Sequence, residues 1–166
     1  MGVTSQLAEF CASIRLSGLP PEVVTRARFL VFDLVGNIVR ARHDAESTAS
    51  FVSAVRAMGM ATGNAGVFGD AARYSPPGAA FLNGALAHSL DFDDTHAAGS
   101  LHPGAPVIPA ALAAGEMVGA SGADVLAGII AGYEVTCRVA LALPAGEPLN
   151  PNFKKEETSF LASRQR

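Results

Sequence analysis

Apolar residues recur along most of the chain at three- and four-residue spacing, the period that gathers side chains on one face of an α-helix. Leu7, Phe10, Cys11 and Ile14 form the first such run, with Thr4 or Ser5 placed to cap it, so a short amphipathic helix is expected over 4–16. Pro20 and Pro21 suit a first helical turn, where an amide hydrogen would have no partner within the helix. Val23, Val24, Ala27, Leu30, Val31, Leu34, Val35 and Ile38 then carry a second helix to about Arg42. Its broad apolar face marks it as central. Ala49, Val52, Val55 and Met58 predict a third helix over 45–58, stopped by Gly59 and a turn-rich run over 61–70. Val67-Phe68 is a candidate short strand within that run.

Ser75 followed by Pro76-Pro77-Gly78 reads as the start of a helix that continues through Ala79, Phe81, Leu82, Ala85, Leu86, Ser89 and Leu90 into an acidic cluster over 91–94. A loop over 96–104 precedes a helix beginning near Ala105 or Pro106. Gly119-Ala120-Ser121-Gly122 then separates it from a helix over 123–143. Alternating β-branched residues are absent, so the expected class is all-α, a multi-helix, bundle-like domain with short loops. Gly115 and Gly119, and again Gly128 and Gly132, fall four residues apart among alanines, which lets helix axes approach closely and does not resemble a phosphate loop. Past Leu143 the helical period is lost among Pro144, Pro148 and Pro151. The expected organisation is one helical domain over 1–143 and a polar, proline-containing, mobile tail over 144–166.

Composition narrows the function. With 49% hydrophobic and 16% charged residues the chain can bury a core, and a net charge of -3 does not suit a nucleic-acid binder, which needs a basic face. Cys11 and Cys137 each sit inside an apolar helical pattern, which argues against a disulfide framework, a thiolate metal site or an iron–sulfur cluster. The first residues lack the basic, apolar and small-residue sequence of a secretory leader, and the helix over 123–143 carries Asp124, Glu134 and Arg138. A cytoplasmic protein with a small-molecule ligand, and with neither nucleic acid nor membrane as partner, is expected.

The run from His88 to His96 (His-Ser-Leu-Asp-Phe-Asp-Asp-Thr-His) packs three carboxylates and two imidazoles behind an apolar helix. If the helix continues through it, His88, Asp91 and Thr95 line one stripe facing a common cavity, while Asp93 and Asp94 point elsewhere. His102-Pro103-Gly104 follows, just before a helix whose first amides and positive dipole end attract carboxylates. Proton transfer on a carboxylate-bearing substrate fits these residue types. A hard divalent ion is the competing chemistry, but it calls for a second group of aspartates, whereas Asp44, Asp70 and Asp124 stand alone in the sequence, so no metal is expected. Blander roles stand beside these: a backbone-bonded helix-start histidine for His102, a capping or solvated carboxylate for Asp94, and a surface-loop position for His96. His43, near Arg40 and Arg42, reads as a helix-dipole partner, and Glu134 with Arg138 as an i, i+4 ion pair.

The stretch from Gly78 to His96, His102-Pro103-Gly104, Ser121-Gly122, Gly132-Tyr133-Glu134 and Arg138 together resemble the N-terminal helical domain of the MmgE/PrpD family. That group contains 2-methylcitrate dehydratase and cis-aconitate decarboxylase. The resemblance implies dehydration, decarboxylation or epimerisation of a small polycarboxylate, without metal or cofactor. It also implies active-site positions at Asp91, Thr95 and His102. In those roles His102 moves the proton next to a carboxylate, Asp91 orients or tunes it, and Thr95 donates a hydrogen bond to substrate. His88, Asp93, Asp94 and His96 are supporting or substrate-contacting candidates. Family members continue with a further histidine motif, lysines and a second domain, none recognisable here. The expectation is therefore a truncated, partial lyase or isomerase, inactive alone, which forms a dimer or other homo-oligomer or associates with a complementary chain. A non-catalytic helical module of the same family is the alternative.

Overall fold

Helix α2 (Pro21–Asp44) turns its Ala27, Leu34, Ile38 and Ala41 inward, at seven-, four- and three-residue steps that keep one stripe facing the core. The computed structural model describes residues 2–142, and the tail expected over 144–166 lies outside the described residues. Against α2 pack α3 (Thr48–Ala57), α4 (Pro76–His88), α5 (Gly104–Val118) and α6 (Gly122–Ala142), while α1 (Val3–Ser13) lies on α6. Two-residue strands β1 (Ala65–Gly66) and β2 (Arg73–Tyr74) pair antiparallel, and 3-10 turns occupy Leu16–Gly18 and Ala97–Gly99. The class is all-α, as the periodicity predicts.

Helix α4 packs most extensively on α5 and then on α2, and α6 lies against α5 and α1. Leu34, Ile38, Leu82, Leu86, Ile108 and Ile129 are fully buried where α2, α4, α5 and α6 meet. Only part of the glycine pattern serves close approach. A Cβ on Gly132 would stand 2.6 Å from Val107 Cγ1 and one on Gly115 2.5 Å from Val125 Cγ2, whereas Gly128 faces open space. Gly119 instead ends α5 in the left-handed conformation, with φ 63°. The second helix of the prediction proves to have an open side as well, where Phe29 and Phe32 are exposed.

Local chemistry moves several predicted boundaries. Ser75 caps α4 as expected, accepting a bond from the Gly78 amide. Gly2, not Thr4 or Ser5, occupies the cap position of α1 and supplies no side-chain bond. The strand falls before Val67-Phe68 because Asn83, buried on α4, donates to the Gly66 carbonyl at 3.0 Å and accepts from the Phe68 amide at 3.0 Å. That one amide side chain stands in for a strand partner. Arg42 pairs with Asp70 at 3.1 Å across a part-buried contact, tying this hairpin region to α2. Helix α6 is long and apolar enough to cross a membrane by length and composition alone. Here it packs against other helices and carries the predicted Glu134–Arg138 pair at 2.7 Å.

Candidate active site

Helix α4 stops at His88 and does not run through the acidic cluster. Ser89 donates its hydroxyl to the Ala85 carbonyl at 2.6 Å, and Asp91 adopts a left-handed backbone with φ 56°, a conformation aspartate tolerates better than most side chains. The expected stripe of His88, Asp91 and Thr95 therefore does not form. The reversal folds the next residues back beneath the end of α4.

Asp93, expected to point away, is the buried centre of the resulting group, its side chain having no exposed surface. Its Oδ1 lies 2.9 Å from His88 Nδ1 and 3.5 Å from His102 Nδ1. The Nε2 of His102 lies 3.8 Å from Oδ1 of Asp91, whose carboxylate is exposed. The two imidazoles meet edge to face with centroids 4.9 Å apart. One donor atom from each of His88, Asp91, Asp93 and His102 falls within 4.8 Å of the others, so these four residues would offer ligands to a divalent ion. They are also an acid–base cluster without one.

Asp94 does not point into solvent either. It accepts from the Gly104 amide at 3.0 Å and from the Tyr133 hydroxyl at 3.1 Å, capping α5 from a distance and joining it to α6. Burial raises the Asp94 carboxyl above its ordinary range, against the lowering effect of those two bonds. Burial, and then the charge of Asp94, pushes the Tyr133 phenol up, so it remains a donor at neutral pH. Tyr133 enters the sequence reading only as part of the resemblance; a lone tyrosine in an apolar helix, whose buried hydroxyl needs a partner, is the signal for it. The first amide of the predicted anion position, that of Gly104, is thus already held by a carboxylate of the chain itself.

His96 spends its Nδ1 on the Gly99 amide at 3.0 Å, and its backbone bridges Leu101, forming the turn that returns the chain to His102. Thr95 is exposed, and no hydrogen bond among the described residues joins it to the cluster. His88 and His102 form the polar end of a hollow of about 540 Å³ between α4 and α5, whose walls are Ala80, Phe81, Gly84, Ala85, Ala105 and Pro106. Close approach of the two helices here has a backbone cause. Pro109, inside α5, has no N–H to give the Ala105 carbonyl, and a Cβ on Gly84 would stand 2.9 Å from that carbonyl oxygen.

Residues 5–150 match the family described as the MmgE/PrpD N-terminal domain. Among curated proteins the chain is 30% identical to the cis-aconitate decarboxylase-like protein oryM of Aspergillus oryzae, over 89% of this chain and 32% of that protein. It is 29% identical to a cis-aconitate decarboxylase of Aspergillus terreus, over 90% of this chain and 31% of that protein. The chain thus spans about a third of the length of these relatives. No solved structure matches it. With the family match extending over most of its length, the chain belongs to the MmgE/PrpD family, whose N-terminal domain it carries.

Proposed function

We propose that this domain supplies the proton-handling part of a lyase or isomerase that acts on a small polycarboxylate, as a dehydratase or decarboxylase does. The observation that carries the reading is the meeting of His102 with Asp91 and buried Asp93 at the polar end of the hollow between α4 and α5. A general base must come within hydrogen-bond reach of the proton it removes, and His102 lines the hollow with Nε2 on the Asp91 side. In this role Nε2 takes the proton from the carbon next to a carboxylate. The electron pair left behind spreads into that carboxylate or expels a neighbouring hydroxyl; in a decarboxylation CO2 instead departs leaving its pair on carbon, and protonated His102 gives a proton to that pair. Asp91 tunes the base, and Thr95, exposed beside the cluster, donates to a substrate carboxylate once the site is filled. The cis-aconitate decarboxylase relatives support this substrate class. We propose no metal or cofactor.

Among the described residues the hollow's walls include no arginine or lysine, while two carboxylates stand beside the histidines at its polar end. A polyanion therefore needs cations from another part of the protein, a complementary chain or a second copy. This favours an isolated chain that is inactive and that associates, with exposed Phe29, Phe32, Met117 and Val118 as supporting apolar surface. The charged residues on α6 favour a cytoplasmic setting, with no membrane partner. A second reading, a non-catalytic helical module, is favoured by Asp94 holding the amide at the α5 start.

Turnover of cis-aconitate, 2-methylcitrate and citrate separates the two. It would be followed for the chain alone and with the remaining two thirds of a relative supplied as a separate polypeptide. No product alone, product in the mixture, and its loss in His102→Gln are expected. Absence of product in every combination leaves only the module.

A further inference from the structure

Two imidazoles share one carboxylate in this site, and the carboxylate is the buried member. Asp93 exposes none of its side chain, whereas 28% of the His102 side chain and 53% of the His88 side chain are exposed. His102 Nδ1 is itself buried and makes no hydrogen bond, and Asp93 Oδ1 lies 3.5 Å from it. At the other end of the ring, Nε2 has exposed Asp91 at 3.8 Å. A lone pair on the buried nitrogen would face an anion and repel it, whereas a proton there is drawn to the carboxylate. The bond made by one ring nitrogen settles which of the two carries the proton.

We infer that Asp93 is a positioning residue for His102. It keeps the proton of the neutral ring on Nδ1 and leaves the lone pair on Nε2, beside Asp91, where a substrate proton would be taken. When Nε2 gains that proton, the carboxylate of Asp93 balances the imidazolium charge. A hydrogen bond from His88 at 2.9 Å anchors the same carboxylate, so Asp93 stays aimed while His102 changes charge. The importance of this arrangement rests on the role proposed for His102, but its existence does not.

Long-range proton–nitrogen spectra of the 15N-labelled 166-residue chain, recorded above the histidine titration range, test it without any substrate. The expected wild-type pattern has a protonated Nδ1 and an unprotonated Nε2 on His102. In Asp93→Leu the proton is expected to move to Nε2, where Asp91 accepts it, and Asp91→Asn is expected to leave it on Nδ1. A wild-type ring protonated on Nε2 overturns the inference, and that spectrum decides even if Asp93→Leu fails to fold. An unchanged tautomer in a folded Asp93→Leu chain, judged by its helical circular dichroism, overturns it equally. Lack of turnover in every mixture would remove the proposed function and leave the tautomer result standing.

Discussion

Replacing Gly104 by alanine tests the joint that presents His102, and the sign of the effect is diagnostic. Gly104 has no positive φ, and alanine is favoured over glycine in helices by roughly 1 kcal/mol, so at an unconstrained position the change would stabilise the domain. Here the new methyl would collide with Asp94 Oδ1 and stand 2.8 Å from the Tyr133 hydroxyl. Those atoms belong to one latch, in which Asp94 accepts from the Gly104 amide at 3.0 Å and from Tyr133 at 3.1 Å. The carboxylate cannot retreat without losing at least one bond. Hydrogen bonds to a charged group contribute about 1.5–3 kcal/mol each, and two bonds to one carboxylate do not add in full. A net loss of about 2–3 kcal/mol, after the helix-propensity gain, corresponds to a fall of roughly 4–12 °C in the thermal midpoint of a domain this size. Thermal unfolding followed by circular dichroism measures it. Tyr133→Phe in the Gly104→Ala background should then destabilise less than it does alone. A midpoint equal to or above wild type would refute the latch.

Three further outcomes follow from the same contacts. Burial alone would raise the Asp70 carboxyl, but the Ala72 amide, the Tyr74 hydroxyl and Arg42 together hold it below its ordinary 3.8, so its stabilising effect is present above that value and lost as pH falls through the folded one. Asp70→Asn should therefore destabilise the domain at neutral pH and lose that deficit in acid, as paired urea titrations would show. Asp94 has the opposite sign: burial raises its carboxyl, so its contribution is fully present below 3.8 and lost as pH rises through the folded value. Asp94→Asn should flatten the stability profile over that window, and an unchanged slope there would contradict the assignment. Gly84→Ala places a Cβ 2.9 Å from the Ala105 carbonyl and should force α4 and α5 apart, at about 1–3 kcal/mol, with weaker ring-to-ring contacts between His88 and His102 in nuclear Overhauser spectra.

The helices were legible in the sequence because their apolar spacing and their breakers agree. Pro21 opens α2, Ser75 caps α4 and Gly119 ends α5, each for a reason local to a few residues. The site was legible as a set and not as a geometry. His88, Asp91, Asp93 and His102 all stand out as titratable groups near one helix end. Periodicity nevertheless extends α4 past Leu90 and groups His88 with Asp91 and Thr95. What ends α4 is a serine bond to Ala85 and a left-handed aspartate, and no apolar pattern encodes either. The same missed turn reverses the expectation for Asp93, whereas Asp94 takes the capping role, one of its two plainer readings. Tyr133, 39 positions beyond Asp94, could be assigned only by the packing of α6 on α5. The displacement of the strand has a similar origin, since the side chain that sets it, Asn83, belongs to a helix.

These corrections change what kind of site the domain provides. A helix start beside a histidine suggests a place for a substrate anion, with dipole and amides doing the binding. In the folded chain Asp94 occupies the Gly104 amide, and Pro106, two residues on, has no N–H to offer. Asp91 and Asp93 add negative charge at the same end of the hollow, beside two imidazoles. Such an arrangement is suited to hold and aim a base, because carboxylates stabilise the imidazolium that forms when a proton is taken. It is poorly suited to hold a polyanion by itself. Under the proposed function, binding and proton transfer are divided between different surfaces, with the charge-matching groups brought by whatever covers the hollow. On that division, substitutions at His102 or Asp93 in an assembled enzyme lower kcat more than they raise KM, while loss of the covering cations does the reverse.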